Sequence, residues 1–426
     1  MDKSLNFVLL TIVVLICIST SSSYGELSSA IDSGDTAWML VSSALVLLMT
    51  PGLSFFYGGM IDKKNVISTM FQSFVALGVI SVLWIFVGFS LAFGDSMGGI
   101  VGNPMTYFAF QNVGLEPNPD FSSTIPFLLF SLFQLKFAII TPALITGSFA
   151  GRVRFRSYIF FMVLFSIFIY CPLAHMTWHP DGLFRNWGVL DFAGGTVVHM
   201  SAGFAALAGA VFLGQRKNVF EHQINAPYIL LGTGLLWFGW FGFNSGSALG
   251  ANADAVIAFA NTNIASATAM ITWIFYERMR GRKMSTLGAC IGAVVGLVAI
   301  TPAAGFVNIG QSMFIGFVAS LISNWAIHLK NQTNVDDTLD VFPSHGVGGI
   351  VGMLLTAVFA PEVGLIHGET STFLFHILAL VITAVYCFGG SYLLYIIVDK
   401  LLTIRVREDQ EEKGLDLSQH GEQILY

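Results

Sequence analysis

Two histidines stand inside apolar segments of this chain, and neither has a cluster of metal ligands near it. His199 lies in DFAGGTVVHMSAG, Asp191 to Gly203, and His345 lies in DVFPSHGVGGIVG, Asp340 to Gly352. Asp191 precedes His199 by eight residues, and Asp337 precedes His345 by the same eight. In helical geometry each ring then lies about 12 Å from its acidic residue. Ionisable side chains within a membrane-crossing segment mark a polar path more often than they serve packing. The alternative for this pair is two hydrogen-bonded residues that only join helices. A second group gathers where three segments reach one surface: Trp178, Asp191 and Ser247. An indole face attracts cations, and a serine hydroxyl accepts a hydrogen bond. Asp191 either supplies negative potential or caps backbone N–H groups. Together they would make a cation site, although an interfacial anchor is the commoner role of a tryptophan such as Trp178.

The elements that must position these groups are membrane-spanning helices. The 426-residue chain is 55% hydrophobic and only 10% charged, against roughly 25% charged in a soluble domain. That composition excludes a soluble core, and no nucleic-acid partner is expected. Residues 1–25 read as a signal peptide, with Lys3, an apolar run from Val8 to Ile18, and SSSYG before the cleavage point; a retained extra helix is the alternative. The expected fold class is all-α, a polytopic membrane domain over residues 26–402 followed by a charged tail, 403–426. Eleven spans are expected near residues 37–58, 66–93, 124–149, 157–178, 192–213, 227–248, 252–277, 284–303, 306–328, 344–360 and 372–402.

Placing the mature N-terminus outside and the C-terminus in the cytoplasm puts sixteen of the 19 basic residues in inward loops and the tail, and only Arg185 in an outward loop. The odd count suggests five spans, five more of inverted topology, and a final helix. Span five then enters from outside and span ten from inside, so the equal Asp-to-His spacing brings both imidazoles towards the midplane of a core about 30 Å thick. An inverted repeat places its functional site where the halves meet. Gly194, Gly195, Ala202 and Gly203 in one span, and Gly346, Gly348, Gly349 and Gly352 in the other, permit close helix contact. GVGGIVG follows no strand and is not a phosphate loop. Cys17, Cys171, Cys290 and Cys387 form no CxxC pattern and read as small buried hydrophobes. His175, His179, His367 and His376 near outer ends, and His222 and His328 near inward loops, read as ordinary interfacial residues.

AHMTW (Ala174 to Trp178), DFAGGTVVH, WFGFNSGS (Trp240 to Ser247), VDDTLDVFPSHG (Val335 to Gly346) and the tail RVREDQEEKGLDLSQHGE resemble, in that order, segments of the ammonium transporter (Amt/Mep/Rh) family, in its prokaryotic Amt-like form. The resemblance runs from about Asp35 to Glu422. It implies an eleven-span homotrimer in the cell membrane with a separate pore in each subunit and no cofactor. It implies that Trp178 and Ser247 form the outer ammonium site, with Asp191 as the essential acidic residue. Phe137 and Phe243 would be the stacked gate, His199 and His345 the twin-histidine pore pair, and Trp240 an aromatic lining the pore. The tail would pack beneath the pores and lie near a docking surface for a PII-type signal protein. Lys136, in FQLKFAIIT, departs from the pattern; it lies about 100° around the helix from Phe137, which turns it towards a neighbouring helix or subunit.

Moving a bare ammonium-sized ion into a low-dielectric medium costs on the order of 20 kcal/mol. Shedding a proton at neutral pH costs ammonium only about 3 kcal/mol. Two neutral imidazoles, one donating and one accepting, can then offer ammonia a polar path, whereas potassium has no proton to lose. An ammonium sensor with this fold and little flux is the alternative function. A membrane enzyme has no support, since no nucleophile triad, HExxH or phosphate loop is present. A general channel for small neutral solutes is a further alternative.

Overall fold

The computed structural model describes residues 11, 14, 30–217 and 225–424. The expected signal segment lies outside the described residues apart from Thr11 and Val14, as do Cys17 and His222. Ten helices among the described residues are long and apolar enough to cross a membrane: α1 (Ser33–Gly58), α2 (Lys63–Phe93), α3 (Phe127–Ser148), α4 (Phe155–Asn186), α5 (Gly195–Leu213), α6 (Ala226–Ala248), α7 (Ala253–Met279), α9 (Ile309–Lys330), α10 (Phe342–Phe359) and α11 (Ser371–Leu402). The span expected at 284–303 is a shorter apolar helix, α8 (Thr286–Ile300). Two strands, β1 (Ser96–Met97) and β2 (Val101–Gly102), pair antiparallel in the loop between α2 and α3.

Short polar residues start these helices, because the first N–H groups of a helix have no partner within it. Asp32, Asn225, Asn252 and Ser285 cap α1, α6, α7 and α8, and Asn308 with Gln311 forms a capping box on α9. In lipid, burial of apolar surface does not draw helices together, so close packing must come from small residues. A Cβ on Gly232 of α6 would stand 2.3 Å from the backbone nitrogen of Phe56, and one on Gly239 would stand 2.6 Å from the carbonyl of Leu45. The seam between α1 and α6 is therefore glycine against backbone. Gly296 of α8 and Gly316 of α9 approach the Ala265 carbonyl of α7 in the same way.

α5 and α10 run antiparallel. Gly214, just past the end of α5, shares the Arg152 guanidinium with Asp336, which precedes α10. Both helices open on a π-type turn, Gly195–Met200 and Phe342–Val347, a local widening that recurs at functional sites. An aspartate caps each opening. Asp191 accepts from the N–H groups of residues 194–196, and Asp337 accepts from Phe342 N–H at 2.7 Å. The helices cross where a Cβ on Gly203 would meet Gly346 N at 2.3 Å and its Cα at 2.4 Å.

Arg152 is fully buried at the end of the bundle that carries the tail. Its guanidinium donates to the carbonyls of Ser148, Gly214 and Asp336 and pairs with the Asp336 carboxylate at 3.4 Å. Burial pulls its pKa down to about 10, so it remains charged at neutral pH. The tail is folded onto this end rather than solvated. Val406 N–H donates to Arg152 O, and Arg154 N–H donates to Ile404 O. After the short helix α12 (Glu408–Lys413), Asp416 accepts from the N–H groups of Ile67 and Ser68 at 3.0 and 2.7 Å, capping the first turns of α2.

Replacing Gly203 by alanine is expected to destabilise the protein by roughly 1–3 kcal/mol, read as a lower midpoint of unfolding in detergent. Gly389→Ala in α11, where an added Cβ meets nothing within 4 Å, should be neutral or slightly stabilising.

Candidate functional site

A cavity of about 460 Å³ opens among the ends of α3, α4 and α6 and the segment before α5. Phe137, Trp178, Asp191 and Ser247 all line it, so residues from three separate stretches of the chain come together. Trp178 donates its indole N–H to the carbonyl of Asp191 at 3.1 Å, which fixes the indole and turns its ring to the cavity. The Ser247 hydroxyl donates to Phe243 O at 2.9 Å. With its hydrogen engaged, that oxygen offers only lone pairs.

Asp191 is buried, and its carboxylate is fully occupied. Oδ1 accepts from Gly194 and Gly195 N–H, and Oδ2 accepts from Thr196 N–H and the Thr196 hydroxyl, at 2.5–2.8 Å. Burial raises the pKa of this carboxyl, while the four donors work against the shift by favouring the anion. Of the two roles open from sequence, capping is the one the carboxylate oxygens perform.

Phe137 and Phe243 close the cavity floor, with ring centroids 4.2 Å apart and planes at 38°. Phe137 also meets Trp178 edge-on at 5.7 Å. Although it lies well inside α3 by count, Phe137 thus stands level with the end of the helical run that carries Trp178. Beneath the pair is a narrow lumen of about 10 Å³ lined by Val198, Leu236, Phe243, Trp240, His199 and His345. A volume of about 10–15 Å³ is that of a single water position. Phe137 faces the wide space, Phe243 faces the narrow one, and the two rings are the partition.

His199 and His345 meet Nδ1 to Nδ1 at 3.3 Å, their planes inclined by 24°. One ring must donate and the other accept, which two neutral imidazoles satisfy. The Nε2 of His199 is buried with no hydrogen-bond partner, so a polar atom faces the lumen unmet. Trp240 stacks on His199 at 5.4 Å and 18°, and donates its N–H to Thr301 Oγ1 at 2.9 Å.

Lys136 is half-buried, does not line the wide cavity, and makes no ion pair or hydrogen bond among the described residues. It shares the more open stripe of α3 with Leu128 and Leu132, away from Phe137. Three features were missed in the sequence. Gln134, one turn before Phe137, lines the cavity with an unpartnered buried Oε1; its spacing in FQLKF was the available signal. His175 and His376 are fully buried rather than interfacial. His175 bonds Ala92 O and Ser96 Oγ at 3.0 and 2.8 Å, contacts that local sequence does not reveal. Among the described residues no group of His, Cys, Asp and Glu is arranged to hold a metal. Cys171, Cys290 and Cys387 are buried free thiols.

A bundle of apolar helices around a wide polar-aromatic vestibule and a narrow histidine-lined lumen defines a membrane transport protein. Residues 37–425 match the model of the Ammonium Transporter Family, and the chain belongs to that family, whose members are transport proteins and not enzymes. It is 47% identical over 416 residues to an ammonium transporter of Aquifex aeolicus, covering 96% of this chain and 97% of that one. The fold matches the crystal structure of Saccharomyces cerevisiae Mep2 with a TM-score of 0.85 at 33% identity, over 90% of each chain. It also matches a structure described as a sensor Amt protein, with a TM-score of 0.84 at 28% identity, over 91% of this chain and 98% of that one. Ammonium transport by a multi-pass membrane protein is the function this membership supports.

Asp191→Asn would turn an amide NH₂ towards backbone donors. The protein is expected to lose roughly 1.5–3 kcal/mol of stability, measured as a lower unfolding midpoint, with a matching change in Trp178 emission as its carbonyl anchor shifts.

Proposed function

We propose that the chain captures ammonium at Trp178 and Ser247, strips a proton as the cargo passes Phe137 and Phe243, and moves neutral ammonia past His199 and His345. The observation that carries this reading is the abrupt step from a cavity of about 460 Å³ to one of about 10 Å³ across two phenyl rings. A hydrated cation fits the first and must shed its water to enter the second. In so narrow an apolar space an ion faces a cost on the order of 20 kcal/mol, against about 3 kcal/mol for deprotonating ammonium. Neutral ammonia accepts through one lone pair and donates through three N–H bonds, so it can exchange partners with the unmet Nε2 of His199 and the ring of His345. Asp191 holds a fixed negative charge beside the capture site without binding the ion through its own oxygens. The released proton follows along the paired imidazoles, giving net charge movement. Three subunits, each with its own pore, assemble in the cell membrane with N-termini outside. The docked tail at the cytoplasmic face is the surface on which a PII-type signal protein would act.

The test is current and uptake with ammonium against potassium in cells lacking their own transporters. Wild type should carry ammonium and not potassium. The variant carrying both His199→Ala and His345→Ala should lose ammonium flux by roughly tenfold or more, or begin to pass potassium. Selective, wild-type-like uptake by that variant would remove the pore role assigned to the histidines. Ammonium binding without flux in wild type would favour the sensor reading.

A further inference from the structure

His376 on α11 lies outside every motif by which the family was recognised, yet it is 0% exposed and uses both ring nitrogens. Nδ1 lies 3.1 Å from the carbonyl of Met353 on α10, and Nε2 lies 2.9 Å from the backbone nitrogen of Leu190. A carbonyl can only accept and a peptide N–H can only donate. The ring is therefore held as the neutral tautomer with its hydrogen on Nδ1, donating to Met353 O and accepting from Leu190 N–H.

Leu190 immediately precedes Asp191, whose carbonyl anchors the Trp178 indole and whose carboxylate caps α5. On the other side of Asp191, Phe192 N–H donates to Pro302 O at 3.1 Å. The Met353 sulfur would lie 3.0 Å from a Cβ on Gly195, so the residue that receives the His376 proton also presses on the first turn of α5. The short stretch 190–192 thus has three anchors: His376, the helix it caps, and the Pro302 carbonyl. Only His376 brings in the last membrane helix.

We propose that His376 is a positioning residue for the outer cation site, a clamp of fixed tautomer that sets where the Asp191 carbonyl, and through it the Trp178 ring, stand. The inference rests on the reading of the outer cavity as the capture site. Loosening the clamp should weaken capture without altering the gate or the histidine pair, so its effect belongs in KM rather than in maximal rate.

Asparagine and glutamine separate the two bonds. The Asn amide reaches the position of Nδ1 and keeps the Met353 bond alone, whereas the Gln oxygen reaches the position of Nε2 and can accept from Leu190. In methylammonium uptake, His376→Asn should raise KM about fivefold, the loss expected for one hydrogen bond, with maximal rate per folded protein unchanged. His376→Gln should return KM to within about twofold of wild type. Folded protein is counted by size-exclusion of the detergent-solubilised material. A wild-type KM in His376→Asn, a fall in maximal rate alone, or equal defects in both variants would overturn the assignment. Trp178→Leu is the companion variant. If it raises KM while His376→Asn does not, only the clamp fails; if it leaves KM unchanged, the capture-site reading fails and the clamp with it.

Discussion

Everything in the narrow, histidine-lined cavity depends on how closely two backbones approach where α5 crosses α10. A Cβ on Gly203 would lie 2.3 Å from Gly346 N, which no side chain tolerates. That approach is what allows His199, four residues after the start of α5, and His345, three after the start of α10, to meet at 3.3 Å. Were the crossing wider by the breadth of a methyl group, the rings could not share a proton, and two buried imidazoles would each need another partner.

The same crossing creates a difficulty that the aspartates solve. For both rings to reach the middle of the bundle, both helices must begin inside it, exposing unpaired N–H groups to a medium that cannot satisfy them. Asp191 satisfies three of these groups together with the Thr196 hydroxyl, and Asp337 performs the equivalent task with Phe342. A buried carboxylate is costly alone, but beside several N–H dipoles it is compensated. The eight-residue spacing between acid and imidazole is thus a length of chain: the distance from a capped helix start to the lumen.

Much of this was legible in the sequence, because membrane proteins have few ways to use polar residues. Composition fixed the class, the basic loops suggested the topology, and the repeated Asp-to-His spacing pointed to two segments that meet. Trp178, Ser247 and Asp191 fell together by topology alone. The role of Asp191 stayed open because a carboxylate at a helix start reads equally as a source of negative potential or a cap, and local sequence does not reveal the four donors from which its oxygens accept. His376 and His175 were misplaced for a related reason. Counting along a helix gives depth but not the neighbour across the interface, and both rings bond to backbone atoms distant in sequence. Gln134 escaped notice because its one signal, a place one turn before Phe137, points to the cavity only once the cavity is known. α8, shorter than its neighbours, shows that a buried helix need not match the length expected of one that faces lipid.

Two side chains that line the wide cavity, Trp178 and Ser247, both give their polar hydrogen to a main-chain carbonyl. What these side chains leave towards the vestibule is a π face and an oxygen with free lone pairs, both electron-rich. An arriving anion finds no donor in either of them. A cation, by contrast, meets electron density from both.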